Sequence, residues 1–231
     1  MEISDYYYFT MEDIPSTDFT KAELVGTTRW LKLETLTWKD RAGKEQKWDR
    51  SVRTTKKSET STDAVSIFAV LQNGNPSQDL VVLVKQFRPP IGRFAVELPA
   101  GLIDDGESFG QAALRELKEE TGYEGVVIDE SPSLCMSPGM TNESIAMVTV
   151  HVDMNLEVNK RPIQQLAGNE DIQVITCKKD DLFDQLTLMA KADDVQIFTG
   201  LYFLARGLQI NSTTKRQSSK RTSGSTSKWF W

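Results

Sequence analysis

Between Gly101 and Gly122 the chain carries Asp104, Asp105, Glu107, Glu116, Glu119 and Glu120, and this acid density limits what the segment can become. Phe109, Ala113, Leu114 and Leu117 recur at helical spacing and Gly122 supplies a stop, which predicts a helix over 107–121. On that helix Glu116 and Glu120 are four apart on one face, with Glu119 three from Glu116. One reading is a solvated acidic face with Arg115 and Lys118 as local partners. The other is a set of carboxylates converging on one or two hard cations. Like-charge repulsion disfavours the cluster unless something positive occupies its centre, and oxygen-only ligands suit Mg²⁺ or Mn²⁺.

The flanks read as a mixed α/β pattern. Residues 1–22 lack periodicity and are taken as a loose arm, followed by a region over 23–62. There, apolar and polar residues alternate through Trp30–Trp38 and Gln46–Arg53 on either side of Asp40-Arg41-Ala42-Gly43, which predicts a β-hairpin. Ala64–Leu71 and Leu80–Phe87 are continuous apolar runs around Asn73-Gly74-Asn75-Pro76, as expected for strands buried on both faces. Phe94–Leu98, Val126–Ile128, Ile145–Val152 and Ile172–Cys177 read as further strands, and Leu182–Lys191 and Val195–Leu208 as helices, giving a main domain over 63–210. Residues 211–231 hold Lys215, Arg216, Lys220, Arg221 and Lys228 with no acid and many Ser and Thr, the composition of a disordered tail. Such a tail is solvated, folds back on the acidic body, binds a partner, or serves as a nuclear address.

Charge and composition narrow the chemistry. With 27 Lys plus Arg against 33 Asp plus Glu, the formal charge is −6, which argues against general nucleic-acid binding. An apolar run of about 18 residues is missing, as is an amino-terminal charged and apolar leader, so the expectation is neither membrane span nor secretion, but a cytoplasmic protein, also nuclear if the tail is an address. Cys135, Cys177 and His151 are too few for a disulfide framework, a thiolate zinc site or a histidine-based relay. Carboxylates are the abundant resource.

Gly101, five residues, Glu107, seven residues, Arg115-Glu116-Leu117, one residue, Glu119-Glu120, one residue and Gly122-Tyr123 together resemble the Nudix box of the Nudix hydrolases, here spanning 101–123. The resemblance implies an α/β fold, an α/β/α sandwich with a mixed sheet, in which the box holds Mg²⁺ against a diphosphate. It casts Glu116 and Glu120 as principal metal ligands, Glu119 as an auxiliary one, and Glu107 and Arg115 as the pair joining loop to helix, between the box glycines Gly101 and Gly122. Cations at the diphosphate and the attacking water would neutralise charge and lower the water's pKa, so histidine is not needed.

Three flanking stretches, Val84-Lys85-Gln86-Phe87-Arg88-Pro89-Pro90, Glu97-Leu98-Pro99-Ala100-Gly101-Leu102-Ile103-Asp104 and Ser137-Pro138-Gly139, resemble the ADP-ribose and ADP-sugar pyrophosphatase branch over roughly 24–210. That branch implies hydrolysis to AMP and a sugar phosphate in a homodimer joined through the amino-terminal hairpin. Trp30 and Trp48 would sandwich adenine, one of them from the partner subunit. Asp49 would accept from the exocyclic amine, and Arg53 and Arg88 would grip phosphate or ribose with planar forks. Ala100 would lend a carbonyl to the metal, Leu102 a lining backbone position and Ser137 a substrate contact. Glu170, on a late loop beside Asp171, would be the catalytic base and a further ligand. Glu97 is either another ligand or the partner of Arg115 or Arg88. Trp38 is read as facing the other way, toward a core. Oxidised nucleoside diphosphates such as 8-oxo-dGDP are the alternative substrates, and an ADP-ribose sensor without turnover the alternative class, though sensors typically lose box carboxylates.

Overall fold

Phe19–Thr27 forms a strand, β1, that begins inside the segment patterning reads as a loose arm. It pairs antiparallel with β2 (Leu31–Lys39), which pairs antiparallel with β3 (Glu45–Arg53), so the expected hairpin is two strands of a three-stranded sheet in the order β1-β2-β3. This computed structural model describes residues 19–168, 170–192 and 194–223; most of the expected arm lies outside them. The turn is built by Asp40, whose carboxylate accepts from the amides of Ala42 and Lys44 at 3.0 Å, while Gly43 takes φ 77°. Arg50, 8% exposed, donates to Glu34 and Glu59 and lies 5.0 Å from the Phe19 ring, which pins the start of β1. In the register Leu36 faces Trp48 and Trp38 faces Gln46. Residues directly opposite in an antiparallel pair share a face. Trp38 therefore lies on the same face as Trp48, and the expectation that it faces away is corrected.

The chain divides into two units. The first takes residues through Asp63 together with Cys135–Ser144, a segment that the sequence pattern leaves in the main domain. Its reason for joining is the open edge of β3: the Ser51 amide donates to the Met140 carbonyl at 2.9 Å, and Ser51 forms a parallel bridge with Thr141. Asp63, buried, accepts from Lys56 and from the Ser144 amide, closing the segment's far end.

The second unit comprises the rest. In chain order its elements are β4 (Ala64–Gln72), β5 (Leu80–Arg88), β6 (Arg93–Glu97), β7 (Ala100–Leu102), α1 (Phe109–Thr121), β8 (Val126–Glu130), β9 (Leu134–Cys135), β10 (Ser144–Asp153), α2 (Glu157–Lys160), β11 (Ile172–Lys178), α3 (Leu182–Met189), β12 (Val195–Ile197) and α4 (Thr199–Ser223). The sheet runs β12-β6-β5-β4-β10-β8, with β11 on β5 and β7 on β4 off that path. It is mixed: β10 lies parallel to β4 and β12 parallel to β6, among antiparallel neighbours.

Two apolar clusters explain the layering. Val65, Ile67, Ala69 and Leu71 of β4 pack with Ala112, Ala113 and Leu117 of α1 and with Ala146, Val148, Val150 and Val152 of β10. Val81 and Leu83 of β5 and Val96 of β6 pack instead with Leu182 and Leu186 of α3 and Leu201 and Ala205 of α4. Helices thus cover both faces, the α/β/α arrangement that continuous apolar strands require.

Two boundaries differ from the sequence pattern. Val195–Ile197, expected to open a helix, adds to the sheet beside Phe94–Val96, as two β-branched residues around Gln196 at an open edge favour. Helix α4 runs through Ser223, into the segment whose composition marks disorder, and no Gly or Pro stands between Leu208 and Ser223 to end it. Residues 224–231 lie outside the described residues. Among the described residues, no helix is long and apolar enough to cross a membrane.

Candidate active site

Helix α1 starts at a reciprocal cap: Ser108 accepts from the Gln111 amide, and the Gln111 side chain accepts from the Ser108 amide. It ends at Gly122, which takes φ 77° and leaves no room for a side chain, since a Cβ there would lie 2.2 Å from the Ile163 nitrogen. Between these ends, Arg115 is the hub of the box. It donates to Glu107 at 2.8 Å, to Glu116 at 2.7 Å, to the Leu102 carbonyl at 2.9 Å and to Glu119 at 3.3 Å. Glu107 also accepts from the Asp104 amide at 3.0 Å, and the Asp104 carboxylate lies 3.9 Å from Arg115, so loop and helix are joined chiefly through the Arg115–Glu107 ion pair. Hydrogen bonding to Glu107 first, and to Glu116 after it, raises the Arg115 guanidinium above its ordinary value.

Gly101 makes a close approach that only glycine allows. A Cβ on it would sit 1.9 Å from the carboxyl carbon of Glu116. Glu120, 4% exposed, accepts from the Ala100 amide at 3.0 Å. Its carboxyl is pushed up to about 8, by burial first, with the like charges of Glu116 and Glu170 adding to it and the Ala100 amide and Arg88 opposing. Glu116 is raised too, by burial first, against the pull of Arg115. Two carboxyls whose ionisation is penalised offer oxygen ligands of the kind a hard divalent cation takes, although each now accepts from a nitrogen donor, Arg115 and the Ala100 amide. Among the described residues, no three His, Cys, Asp or Glu side chains form a ready ligating group. Glu116 is held toward Arg115, and Glu120 toward the Ala100 amide.

Glu170 is exposed and lies close enough to raise both box carboxyls electrostatically. It closes a turn on itself, accepting from the Ala167 amide and donating its own amide to the Ala167 carbonyl, both at 2.9 Å. Two residues that the sequence pattern does not single out anchor this loop on α1. Gln164 donates to the Glu120 carbonyl at 2.6 Å and the Ile172 carbonyl at 3.0 Å, and the Gln165 amide donates to the Glu119 carbonyl at 2.8 Å. Glutamines in a loop carry no periodic signal that would have marked them. Of the alternatives open for Glu97, the structure takes Arg88 as its partner, at 2.7 Å.

In the first unit, Trp30 and Trp48 are 58% and 53% exposed. The Trp48 indole nitrogen donates to the Gly139 carbonyl at 3.0 Å, and the Arg29 guanidinium lies 4.5 Å from the Trp30 ring. The Thr54 amide donates to the Trp30 carbonyl, so Trp30 stands opposite Thr54 in continuation of the β2–β3 register. That is six residues beyond Trp48, roughly 20 Å along a strand, so one sheet does not bring the two indoles onto a single base. Asp49 accepts from Thr35 at 2.6 Å, Arg53 pairs with Glu143 at 2.6 Å, and the Ser137 carbonyl accepts from the amides of Met140 and Thr141 at 2.9 and 3.0 Å.

This α/β/α fold and box geometry agree with a direct comparison. The NUDIX domain model matches residues 60–197, and the chain belongs to the Nudix family. Within it, the chain is 40% identical over 197 residues to the ADP-sugar pyrophosphatase of Mus musculus, covering 85% of this chain and 88% of the relative. It is 44% identical over 158 residues to the ADP-ribose pyrophosphatase of Saccharomyces cerevisiae, covering 68% of each. Among solved structures, an ADP compounds hydrolase superposes with a TM-score of 0.58 at 18% identity, covering 86% of this chain and 97% of that one, a likeness of fold.

Proposed function

We propose that this protein hydrolyses the diphosphate of ADP-ribose and related ADP-sugars to AMP and a sugar phosphate, with Mg²⁺ as cofactor and Mn²⁺ as a substitute. The observation that carries the reading is the half-buried Glu116 and the buried Glu120 of an intact box, carboxyls whose ionised forms burial first, and neighbouring acids after it, disfavour unless a cation joins them. The names of relatives at 40% and 44% identity supply the substrate class.

Glu116 and Glu120 would hold the cation in this reading, with the Ala100 carbonyl as a further oxygen and Glu119 as an auxiliary acid. A bound cation would neutralise charge on the diphosphate and make a neighbouring water more acidic. Glu170 would accept a proton from the attacking water, from a loop that Gln164 and Gln165 anchor to α1. Arg115 keeps the box loop on its helix, with Glu107. Arg88, steadied by Glu97, and Arg53 meet the anionic oxygens. Leu102 and Ser137 line the substrate.

A homodimer belongs to the same proposal. Two exposed indoles roughly 20 Å apart along one sheet can hold one adenine only if each site takes Trp30 from one chain and Trp48 from the other. Asp49 then accepts from the exocyclic amine. Leu24 and Val25 on β1, 61% exposed each, and Leu31 and Leu33 on β2 offer the apolar surface for pairing. The setting in this reading is cytoplasmic, with the basic carboxy-terminal segment as the feature that carries it into the nucleus.

The test compares kcat/KM for ADP-ribose and for 8-oxo-dGDP under identical Mg²⁺. A clear preference for ADP-ribose is expected. Preference for the oxidised nucleotide transfers the same site to that substrate, and binding of ADP-ribose without turnover makes the protein a sensor.

A further inference from the structure

Segment 137–144 is fastened along the open edge of β3 at successive points. Trp48 donates to the Gly139 carbonyl, the Ser51 amide donates to the Met140 carbonyl, and Arg53 donates to Glu143. The last contact differs in kind from the others. A single carboxylate oxygen, Oε1 of Glu143, lies 2.6 Å from both Nε and Nη2 of Arg53. It fills the inner notch of the guanidinium and leaves the outer edge, with Nη1, directed elsewhere; among the described residues that nitrogen has no recorded partner.

Glu143 is itself fixed. Its amide donates to the Thr141 hydroxyl at 3.1 Å and its carbonyl accepts from the Met136 amide at 3.1 Å, so the carboxylate is carried on a tethered backbone. Arg53 is 39% exposed at its side chain and Glu143 25%. An arginine that exposed samples many rotamers unless something holds it, and ordering it on binding weakens the ligand's affinity. A planar fork recognises a pair of phosphate oxygens only in the correct plane.

We propose that Glu143 is the positioning residue for Arg53: it grips the guanidinium from the Nε side and sets the outer edge for the anionic oxygens of the substrate. The proposal rests on the diphosphate reading given above. As counter-charge to Arg53, Glu143 weakens simple attraction for an anion, so its contribution is geometric and falls on binding, not on the bond-breaking step.

A double-mutant cycle tests this with Arg53→Ala, Glu143→Ala, Glu143→Gln and the Arg53→Ala/Glu143→Ala double variant. It is read as KM and kcat for ADP-ribose with Mg²⁺ and as calorimetric Kd with chelator. Glu143→Ala is expected to raise KM and Kd about five- to tenfold with kcat within about twofold, as loss of preorganised binding predicts. Glu143→Gln, which keeps the acceptor oxygen, should recover part of that loss, and in the Arg53→Ala background Glu143→Ala should add nothing. Additive effects of the two alanine variants, or unchanged KM and Kd in Glu143→Ala, overturn the positioning role. Should Glu143→Ala fail to fold, Glu143→Gln carries the same comparison. Wild-type protein that binds ADP-ribose without hydrolysing it overturns the hydrolase reading alone, because the Kd cycle still decides on Glu143. Wild-type protein that does not bind ADP-ribose overturns both.

Discussion

Glu120 sits where an ionised carboxylate is penalised, 4% exposed and within the field of two other acids. Its folded value, about 8, lies above the ordinary 4.5, so the protonated form is the one the fold favours. The stability this contributes is complete below about 4.5 and is lost as pH rises through about 8. The metal-free protein should therefore lose Tm between those values, and Glu120→Gln should flatten the slope. Thermal melts across that range check it, and a wild-type Tm that climbs with pH contradicts it. In the same assays, Glu116→Gln and Glu120→Gln should each lower turnover by about 100-fold or more without loss of stability, since a neutral amide escapes the burial and charge penalties that ionisation meets at these positions. Gly101→Ala separates geometry from stability at this site. Its Cβ would strike the carboxyl end of Glu116, a group able to swing aside, so Tm should change little while turnover falls about 10- to 100-fold. A large drop in Tm would show that the backbone, and not Glu116, gives way.

Helix α1 is held by its apolar side and its cap, while its acidic side carries the proposed cation ligands. Leu117, fully buried against β4 and β10, should cost about 2–5 kcal/mol on truncation to Ala, and Ser108→Ala about 1 kcal/mol. Chemical denaturation measures both. This helix was legible in the sequence because apolar spacing and glycine stop agree; its cap at Ser108, one residue inside the expected start, was not. So were the strands at β4, β5, β10 and β11, whose apolar runs leave no other use for them. β1 was not: eight of its nine residues are exposed, so no burial imposes a pattern, and its hold comes from backbone pairing and Phe19 against Arg50. The attachment of Cys135–Ser144 to β3 was hidden because its contacts, one backbone bridge at Ser51 and side-chain bonds from Trp48 and Arg53, join residues about 90 apart without periodicity. The parity reading of Trp38 failed because register depends on the turn, which places Gln46 opposite Trp38. On this sheet, Trp30→Ala or Trp48→Ala should raise KM for ADP-ribose by about 5- to 150-fold, with a smaller effect on kcat, as the loss of one stacked base implies. An unchanged KM would return both indoles to a structural role.

At the scale of the whole molecule, the family was legible because the box residues stand at the fixed intervals by which the chain resembles it, and the family model matches residues 60–197. Of the Arg115 hub, the resemblance supplied only the pairing with Glu107; the anchoring of the Glu170 loop by Gln164 and the Arg53–Glu143 pair were not legible, since each joins residues distant in sequence through contacts without periodicity. Separation of Trp30 from Trp48 along one sheet makes the proposed dimer testable by complementation. Mixed and reannealed Trp30→Ala and Trp48→Ala chains should regain wild-type KM at about a quarter of their sites, because one site of each heterodimer keeps both indoles. Mixtures that stay as weak as either parent contradict shared sites. The central claim, that the carboxylate helix works through a bound divalent cation on a diphosphate, is tested most directly by AMP release from ADP-ribose with Mg²⁺ and with excess chelator, for wild type and Glu120→Gln. AMP formation that chelator abolishes and Glu120→Gln nearly removes is the expected result. AMP release that persists in chelator, or at the wild-type rate in Glu120→Gln, would contradict it.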